Sequence, residues 1–213
     1  MAHIPSPRGS EPNTVTQASI YVDTGPLLCF GHMAGGVKLL IGRYRGRLRW
    51  AQAVAEEIER QANWAVKSGT DAVIRAAARV WSGRHRSHLG TPCIVADREA
   101  IEDMRTKVRA ASRYQHDGDG DLGESETLVL VQAANAVALI NENPARRVAA
   151  ELKVEAYCTM DVLAAEFQAG RIEWRKVLQM YEQLRQANLD AGERLPTPHR
   201  ARQLSSWTPA GPA

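Results

Sequence analysis

Acidic side chains recur in this chain where an apolar run ends or a helix begins. Asp23 follows a short apolar run, and Glu142 follows Asn141 after the apolar stretch "VALI". Glu57 and Glu126 lie in helical segments that are expected to begin at the same edge of the fold. Carboxylates that converge in one cleft repel each other, and their pKa values rise unless a divalent cation neutralises them. Hard oxygen ligands without clusters of His or Cys favour Mg²⁺ or Mn²⁺ as that cation.

A cation held by carboxylates suits the hydrolysis of a phosphodiester bond. It lowers the pKa of bound water and stabilises the negative charge that develops on a phosphate oxygen. Each acid taken alone also fits a helix cap or a surface charge. Because several acids coincide with successive junctions between elements, we favour a shared site.

Short apolar strands alternate with helices along the chain, and this order is what would bring the acids together. Strands are predicted at 20–22, in "TPCIVA" (91–96), in "VALI" (137–140) and in "VEAYCT" (154–159). Helices are predicted at about 50–64, at about 71–81 with Thr70 as N-cap, after Asp97, and from the acidic segment into "ESETLVLVQAANA". The pattern predicts an α/β protein with three layers, α/β/α, around a mostly parallel sheet. In such sheets the residues after the carboxyl ends of the strands meet in one crevice.

Several motifs, in order, resemble those of the PIN-domain nucleases, especially the VapC-like toxins and their relatives. "IYVDTGPLL" resembles the first strand of that family with its metal-site Asp and following Thr, and "VAEEI" is similar to its V-x-x-E-[LI] helix. "LGESETLVLVQAA" resembles a Gly-Glu-x-Glu helix, and "ALINENPARRVAAEL" a strand, acidic step and helix. "VEAYCTMDVLAAEFQAGRI" is similar to the last strand, turn and helix. The resemblance covers residues 20–172.

The resemblance implies roles for individual residues. Asp23, Glu57, Glu126 and Glu142 would hold the cation, with Glu124 as an outer or alternative ligand, and Thr24 would orient water or phosphate. Two positions depart from the family pattern. Asn141 stands where an acid is usual and offers a carbonyl oxygen but no charge. Cys158 replaces the glycine of the last turn, with Asp161 nearby as a conceivable substitute acid.

Basic residues form clusters that fit a polyanionic substrate. Arg43, Arg45 and Arg47 lie in "RYRGRLR", and Arg84 and Arg86 lie in "RHRSH". These arginines are candidates to guide an RNA backbone, although each cluster is equally compatible with a solvated face. The net charge of +3 is too small to identify a nucleic-acid binder by itself.

The bulk properties are those of a globular protein. With 44% hydrophobic and 24% charged residues, the 213-residue chain can bury a core. Residues 1–17 are predicted to be a flexible leader, 18–191 a PIN-like nuclease domain, and 192–213 an extended or disordered tail. The acids Asp119 and Asp121 are predicted to be solvated loop residues. Widely separated cysteines, and the lack of a signal peptide or membrane span, favour a cytoplasmic protein without membrane contact.

Three functions follow as hypotheses. The first is a Mg²⁺-dependent endoribonuclease, the toxin of a type II toxin–antitoxin system, which the resemblance implies is a homodimer inhibited by an antitoxin protein. The second is a catalytically weak PIN-like module that binds RNA or a protein partner. The third is a structure-specific DNA nuclease with the same metal chemistry.

Overall fold

The computed structural model describes residues 18–65, 69–112 and 121–192. Its strands are β1 (Ile20–Val22), β2 (Leu48–Arg49), β3 (Val137–Leu139) and β4 (Glu155–Tyr157). Its helices are α1 (Thr24–His32), α2 (Gly36–Arg43), α3 (Gln52–Ala62), α4 (Thr70–Ser82), α5 (Arg98–Ala111), α6 (Leu122–Ala134), α7 (Asn143–Glu151), α8 (Thr159–Gln168) and α9 (Trp174–Gln186), with a short 3-10 helix at Arg86–His88. The predictions for residues 1–17, 193–213 and Asp119 lie outside the described residues.

The four strands form one parallel sheet in the order β2-β1-β3-β4. Successive residues of a strand point to opposite faces, so one face carries Ile20 and Val22 while the other carries Tyr21. Helices α1, α3, α4, α8 and α9 contribute to the core on the first face, and α5, α6 and α7 cover the second. The predicted three-layer α/β/α fold with a parallel sheet is therefore confirmed. In the part of the chain described here, no helix combines the length and apolar content needed to cross a membrane.

The sheet differs from the prediction at one edge. Only Cys93 of the expected strand "TPCIVA" pairs, through an isolated bridge to Ala51, and Ile94 is 75% exposed. Strand β2 was not predicted. It contains only one buried apolar residue, Leu48, between two arginines, and this is too few residues to show the alternation of a strand. The expected helix at 50–64 begins at Gln52, since Trp50 is fully buried at the end of β2.

The start of α6 is held by a buried ion cluster, and the prediction that Asp121 is a solvated loop acid is wrong. Asp121 is 3% exposed. Its carboxylate accepts hydrogen bonds from Arg109 Nε at 2.6 Å and from Arg105 Nη2 at 3.3 Å, so it ties α5 to α6. Burial acts to raise the pKa of Asp121, but the hydrogen bond from Arg109 and the two positive charges outweigh it and hold that pKa below its usual value.

Replacing Asp121 by Asn should lower the free energy of unfolding by about 2 to 3 kcal/mol, because the mostly buried Arg105 loses its buried counter-charge. Urea unfolding measures the change. The matched control is Glu182→Gln, which breaks an exposed i,i+3 pair with Arg185 and should leave the midpoint unchanged. Equal midpoints for both variants would show that the cluster does not stabilise the fold.

Candidate functional site

The candidate site lies at the carboxyl edge of the sheet, where β1 and β3 end side by side. Asp23 directly follows β1, and its backbone N–H donates to the Leu139 carbonyl of β3 at 3.0 Å. Asp23 is also the N-cap residue of α1 and is only 2% exposed. Asn141 and Glu142 follow β3 at the same edge. The residues that follow β1 and β3 therefore meet at one edge of the sheet, as predicted, and the buried carboxyl group of Asp23 is among them.

Glu57 of α3 is held in place by two neutral donors. Thr24 Oγ1 donates to Glu57 Oε2 at 2.7 Å, and Gln61 Nε2 donates to Glu57 Oε1 at 3.0 Å. Both carboxylate oxygens keep lone pairs for a further partner. Thr24, which follows Asp23 in the sequence, therefore positions the carboxylate of Glu57. Gln61 was not predicted as a site residue, although its i,i+4 spacing from Glu57 places it on the same helix face.

Gly123 packs closely against the acids. A Cβ atom at this position would lie 3.2 Å from Asp23 Oδ1 and 3.6 Å from Glu57 Oε2. The same atom would lie 3.3 Å from Val54 Cγ2. Two carboxylate oxygens therefore come within 3.6 Å of one point that only a glycine leaves empty. The first turn of α6 can approach the acids because this residue has no side chain.

The two glutamates of α6 have different surroundings. Glu124 is half-buried, and its charge interacts with those of Asp23, Glu142 and Glu57. Glu126 Oε2 accepts a hydrogen bond from the Ala53 backbone N–H at 2.8 Å, in the first turn of α3. Residues two apart on an α-helix differ by about 200° in direction, so both cannot face Asp23. Glu126 was the expected ligand and Glu124 the alternative. In the structure this order is reversed, because Glu124 joins the acids and Glu126 caps α3.

Burial and mutual repulsion disfavour the charged forms of these acids. Burial, followed by the charges of Glu57 and Glu142, raises the pKa of Asp23 to about 7. The backbone N–H groups of Thr24 and Gly25 lower it in part. Burial, together with the charge of Asp23, raises the pKa of Glu124 to about 9. At neutral pH the cluster therefore needs protons or a cation to compensate its charge.

The donor set fits a hard divalent cation. The candidate ligands are carboxylates, which suit Mg²⁺ or Mn²⁺, and their repulsion is what a bound cation would relieve. Two of the oxygens, Asp23 Oδ1 and Glu57 Oε2, lie next to Gly123. Within residues 18–65, 69–112 and 121–192, no group of three or more His, Cys, Asp or Glu side chains already has the close spacing of a metal site.

Asn141 has a structural role at this edge of the sheet. It is 1% exposed, and its Oδ1 accepts from Thr159 N at 2.9 Å and from Thr159 Oγ1 at 3.0 Å. Its Nδ2 donates to the Asp190 carbonyl at 2.6 Å. The carbonyl oxygen that the sequence suggested as a ligand is thus already bound to α8. Asp161 also has a local partner, because its Oδ2 accepts from the Cys158 backbone N–H at 2.8 Å and caps α8.

Of the candidate RNA-binding arginines in "RYRGRLR", Arg43 does not fit the expectation. Arg43 Nη1 lies 2.5 Å from Glu166 Oε1, and their side chains are only 10% and 6% exposed. Arg171 also pairs with Glu166, so the buried carboxylate is bound by two arginines. Arg47 lies over the Tyr44 ring, and Arg45 is exposed.

The arginines of the second cluster, "RHRSH", also divide into one that is paired with an acid and one that is exposed. Arg86 forms an ion pair with Glu59 and lies 5.5 Å from the Trp50 ring centroid. Arg84 is exposed, and its Nε donates to His85 Nε2 at 3.0 Å. Arg45 and Arg84 are therefore the two candidates with the most exposed side chains. Both line a large groove beside α1.

Comparison with family models, with curated proteins and with solved structures finds no match for this chain. The fold and the geometry of the site are thus the observations on which a function must rest. The likeness to PIN-domain nucleases stays an interpretation of the sequence motifs.

Without divalent cations, Asp23→Asn should stabilise the protein above about pH 7, where the Asp23 carboxyl group is charged. The folded-state pKa of Asp23, about 7, lies above the unfolded value of about 4, so its stabilising contribution is complete below pH 4 and is lost as the pH rises through 7. The measurement is urea unfolding in chelator at about pH 5 and about pH 8. Between these values the free energy of unfolding should fall less for Asp23→Asn than for wild type.

Adding Mg²⁺ should restore stability to the wild type at the higher pH but not to Asp23→Asn, because a cation binds the deprotonated cluster. Asp103→Asn, an exposed acid on α5, is the matched control and should behave as wild type. Identical pH dependence in all three proteins would contradict the repulsion argument.

Asn141→Asp should destabilise the protein by about 2 to 4 kcal/mol, although it supplies the acid usual for PIN nucleases. The new carboxylate would face the Asp190 carbonyl, which now accepts from Asn141 Nδ2. Thermal unfolding with and without Mg²⁺ measures this. A variant that is as stable as wild type and binds Mg²⁺ more tightly would show that position 141 is a vacant ligand position.

Proposed function

We propose that this chain is a Mg²⁺-dependent endoribonuclease that hydrolyses phosphodiester bonds in RNA, acting as the toxin of a type II toxin–antitoxin system. The observation that carries the proposal is the buried Asp23 at the carboxyl edge of a parallel sheet, surrounded by three further acids. The charges of Glu57 and Glu142 repel that of Asp23, and all three repel the charge of Glu124. Like charges around a buried carboxyl group destabilise the folded protein, and a bound cation is the ligand that would relieve this repulsion.

The residues have distinct proposed roles. Asp23 and Glu124 would hold the cation, with Glu57 and the exposed Glu142 at its sides. Thr24 and Gln61 keep Glu57 in one orientation through its two oxygens. When bound, Mg²⁺ supplies activation of water and neutralises charge on the phosphate. Glu126 contributes by capping α3, the helix that carries Glu57.

The substrate and partner classes come from charge and from the motifs. Arg45 and Arg84 are exposed cations that suit a phosphate backbone. The resemblance to VapC-like toxins supports RNA over DNA, a homodimer, an antitoxin protein that covers the acidic site, and a cytoplasmic location. These assignments are part of the proposal.

A second function is favoured by one specific observation. Asn141 is fully used in hydrogen bonds to Thr159 and Asp190, so one acid usual for PIN nucleases has been replaced by a structural tie. A site with fewer charges holds a cation less tightly. The alternative is therefore a catalytically weak PIN-like module that binds RNA or a protein partner.

Cleavage of a mixed RNA pool should require Mg²⁺ or Mn²⁺ and stop with chelator. Asp23→Asn and Glu124→Gln should each lower the rate at least about 100-fold, because each removes a charge on which cation binding depends. Glu126→Gln should stay close to wild type, since an amide oxygen still accepts from Ala53 N–H. The readout is the initial rate of fluorescent fragment release.

The control for this experiment is Asp103→Asn, with DNA of the same sequence as a parallel substrate. Cleavage of DNA but not RNA would support the DNA nuclease instead. Absence of cleavage that depends on both metal and Asp23 would exclude the nuclease and favour the binding module.

A further inference from the structure

A groove with a volume of about 970 Å³ lies between α2 and α4, with the end of α1 at its base. This volume is at the upper end for ligand pockets in proteins. Its apolar lining comes from Met33, Val37, Ile41 and Val80, together with several glycines. The groove is separate from the acids at the carboxyl edge of the sheet, since none of them lines it.

The groove is strongly basic. The basic residues that line it are Lys38, Arg45, Arg79, Arg84, His85 and His88, and among its described lining residues there is no acid. Lys38 and Arg45 are exposed and form no ion pair within the described residues. Arg43, in the same segment as Arg45, is by contrast neutralised by Glu166. Lys38 and Arg45 are therefore available to an anionic ligand.

One end of the groove carries stacked rings. The imidazoles of His85 and His88 stack with their centroids 5.8 Å apart and their planes at 28°. His85 also meets the Trp81 ring edge-on at 6.2 Å. Burial, followed by the charges of Arg84 and His88, lowers the pKa of His85. A pair of imidazole rings on an exposed edge is a surface on which a nucleobase can stack.

The ring-bearing end of the groove is fixed to α1 through Trp81. Trp81 Nε1 donates to the Leu27 carbonyl at 2.5 Å, and a Cβ on Gly31 would lie 2.8 Å from the Ala77 carbonyl oxygen. Helices α1 and α4 therefore run antiparallel. Pro26, Leu27 and Phe30 of α1 are buried beneath this contact, so the groove and the acids are separate sites.

We propose that this groove binds a single-stranded segment of RNA, with phosphates on Lys38 and Arg45 and a base on the His85–His88 pair. The inference rests on the proposed nuclease function and specifies how its substrate is held. An acidic peptide would satisfy the cations, but stacked imidazoles beside an apolar floor suit unpaired bases. The two ligands differ in which side chains their binding requires, and this difference provides the test.

Binding can be measured without cleavage on the full-length protein in chelator. The probe is a fluorescein-labelled, unstructured RNA of about 12 nucleotides, followed by anisotropy between about 50 and 200 mM salt. Lys38→Gln/Arg45→Gln should weaken binding at least about 5-fold and reduce the salt slope by about 1.4, or 0.7 per phosphate contact. His88→Ala should weaken binding about 5-fold or more with the slope unchanged, because stacking releases no counterions.

The matched control is Lys107→Gln/Lys153→Gln, which removes the same charge from exposed residues on α5 and after α7. It should leave both affinity and slope unchanged. Equal weakening by the control would show non-specific attraction and overturn the proposal. So would an oligoglutamate peptide that binds more tightly than RNA, loses binding in Lys38→Gln/Arg45→Gln and is insensitive to His88→Ala.

The groove and the nuclease site fail separately in these experiments. If RNA binding depends on the groove while cleavage is independent of Asp23, the groove assignment stands and the nuclease function fails. If Asp23 is required for cleavage but the groove variants bind RNA as wild type does, the nuclease stands and the groove assignment fails.

Discussion

A carboxyl group buried among other carboxylates is the constraint on which this structure depends. Asp23 directly follows β1. Because β1 lies in the interior of the sheet, helices on both faces keep water away from Asp23. The N-terminal N–H groups of α1 offset part of its charge, as helix N-termini do for anions. They do not offset the repulsion from Glu57 and Glu142. The fold therefore maintains an unfavourable arrangement whose compensation must come from a bound cation or from protons.

The start of α6 maintains that arrangement from several sides. Within six residues Asp121 binds the arginines of α5, Gly123 packs closely against the acids, Glu124 adds a carboxylate and Glu126 caps α3 at Ala53. The cap is needed because α3 begins after an alanine, which cannot cap a helix itself. Each side chain points in a different direction around the helix. One short acidic segment thus fixes two neighbouring helices and completes the cluster of acids.

The sequence predicted the layers and the edge at which the acids meet, because strand periodicity and the rule for parallel sheets depend on local pattern alone. It did not distinguish Glu124 from Glu126 or identify Asp121 as buried, since those outcomes depend on how α6 is rotated against α3 and α5. Helix geometry alone excludes both glutamates from facing one point. Partners distant in sequence, such as Glu166 for Arg43, cannot be inferred from a cluster of arginines, because an exposed and a buried arginine have the same local pattern.

Asn141 shows how the fold and the site compete for one position. A carboxylate there would add to the repulsion on Asp23, whereas the amide joins β3 to α8 and to the Asp190 carbonyl. An amide instead of a carboxylate at position 141 lowers the negative charge that the metal-free protein must tolerate. It also lowers the attraction of the site for a cation. Glu142, one residue further, is exposed and raises the pKa of Asp23 from the outside. A charge at the solvent edge is less costly than a buried one and still acts on the centre, so the site keeps its negative potential while the interior gains a hydrogen-bonded tie.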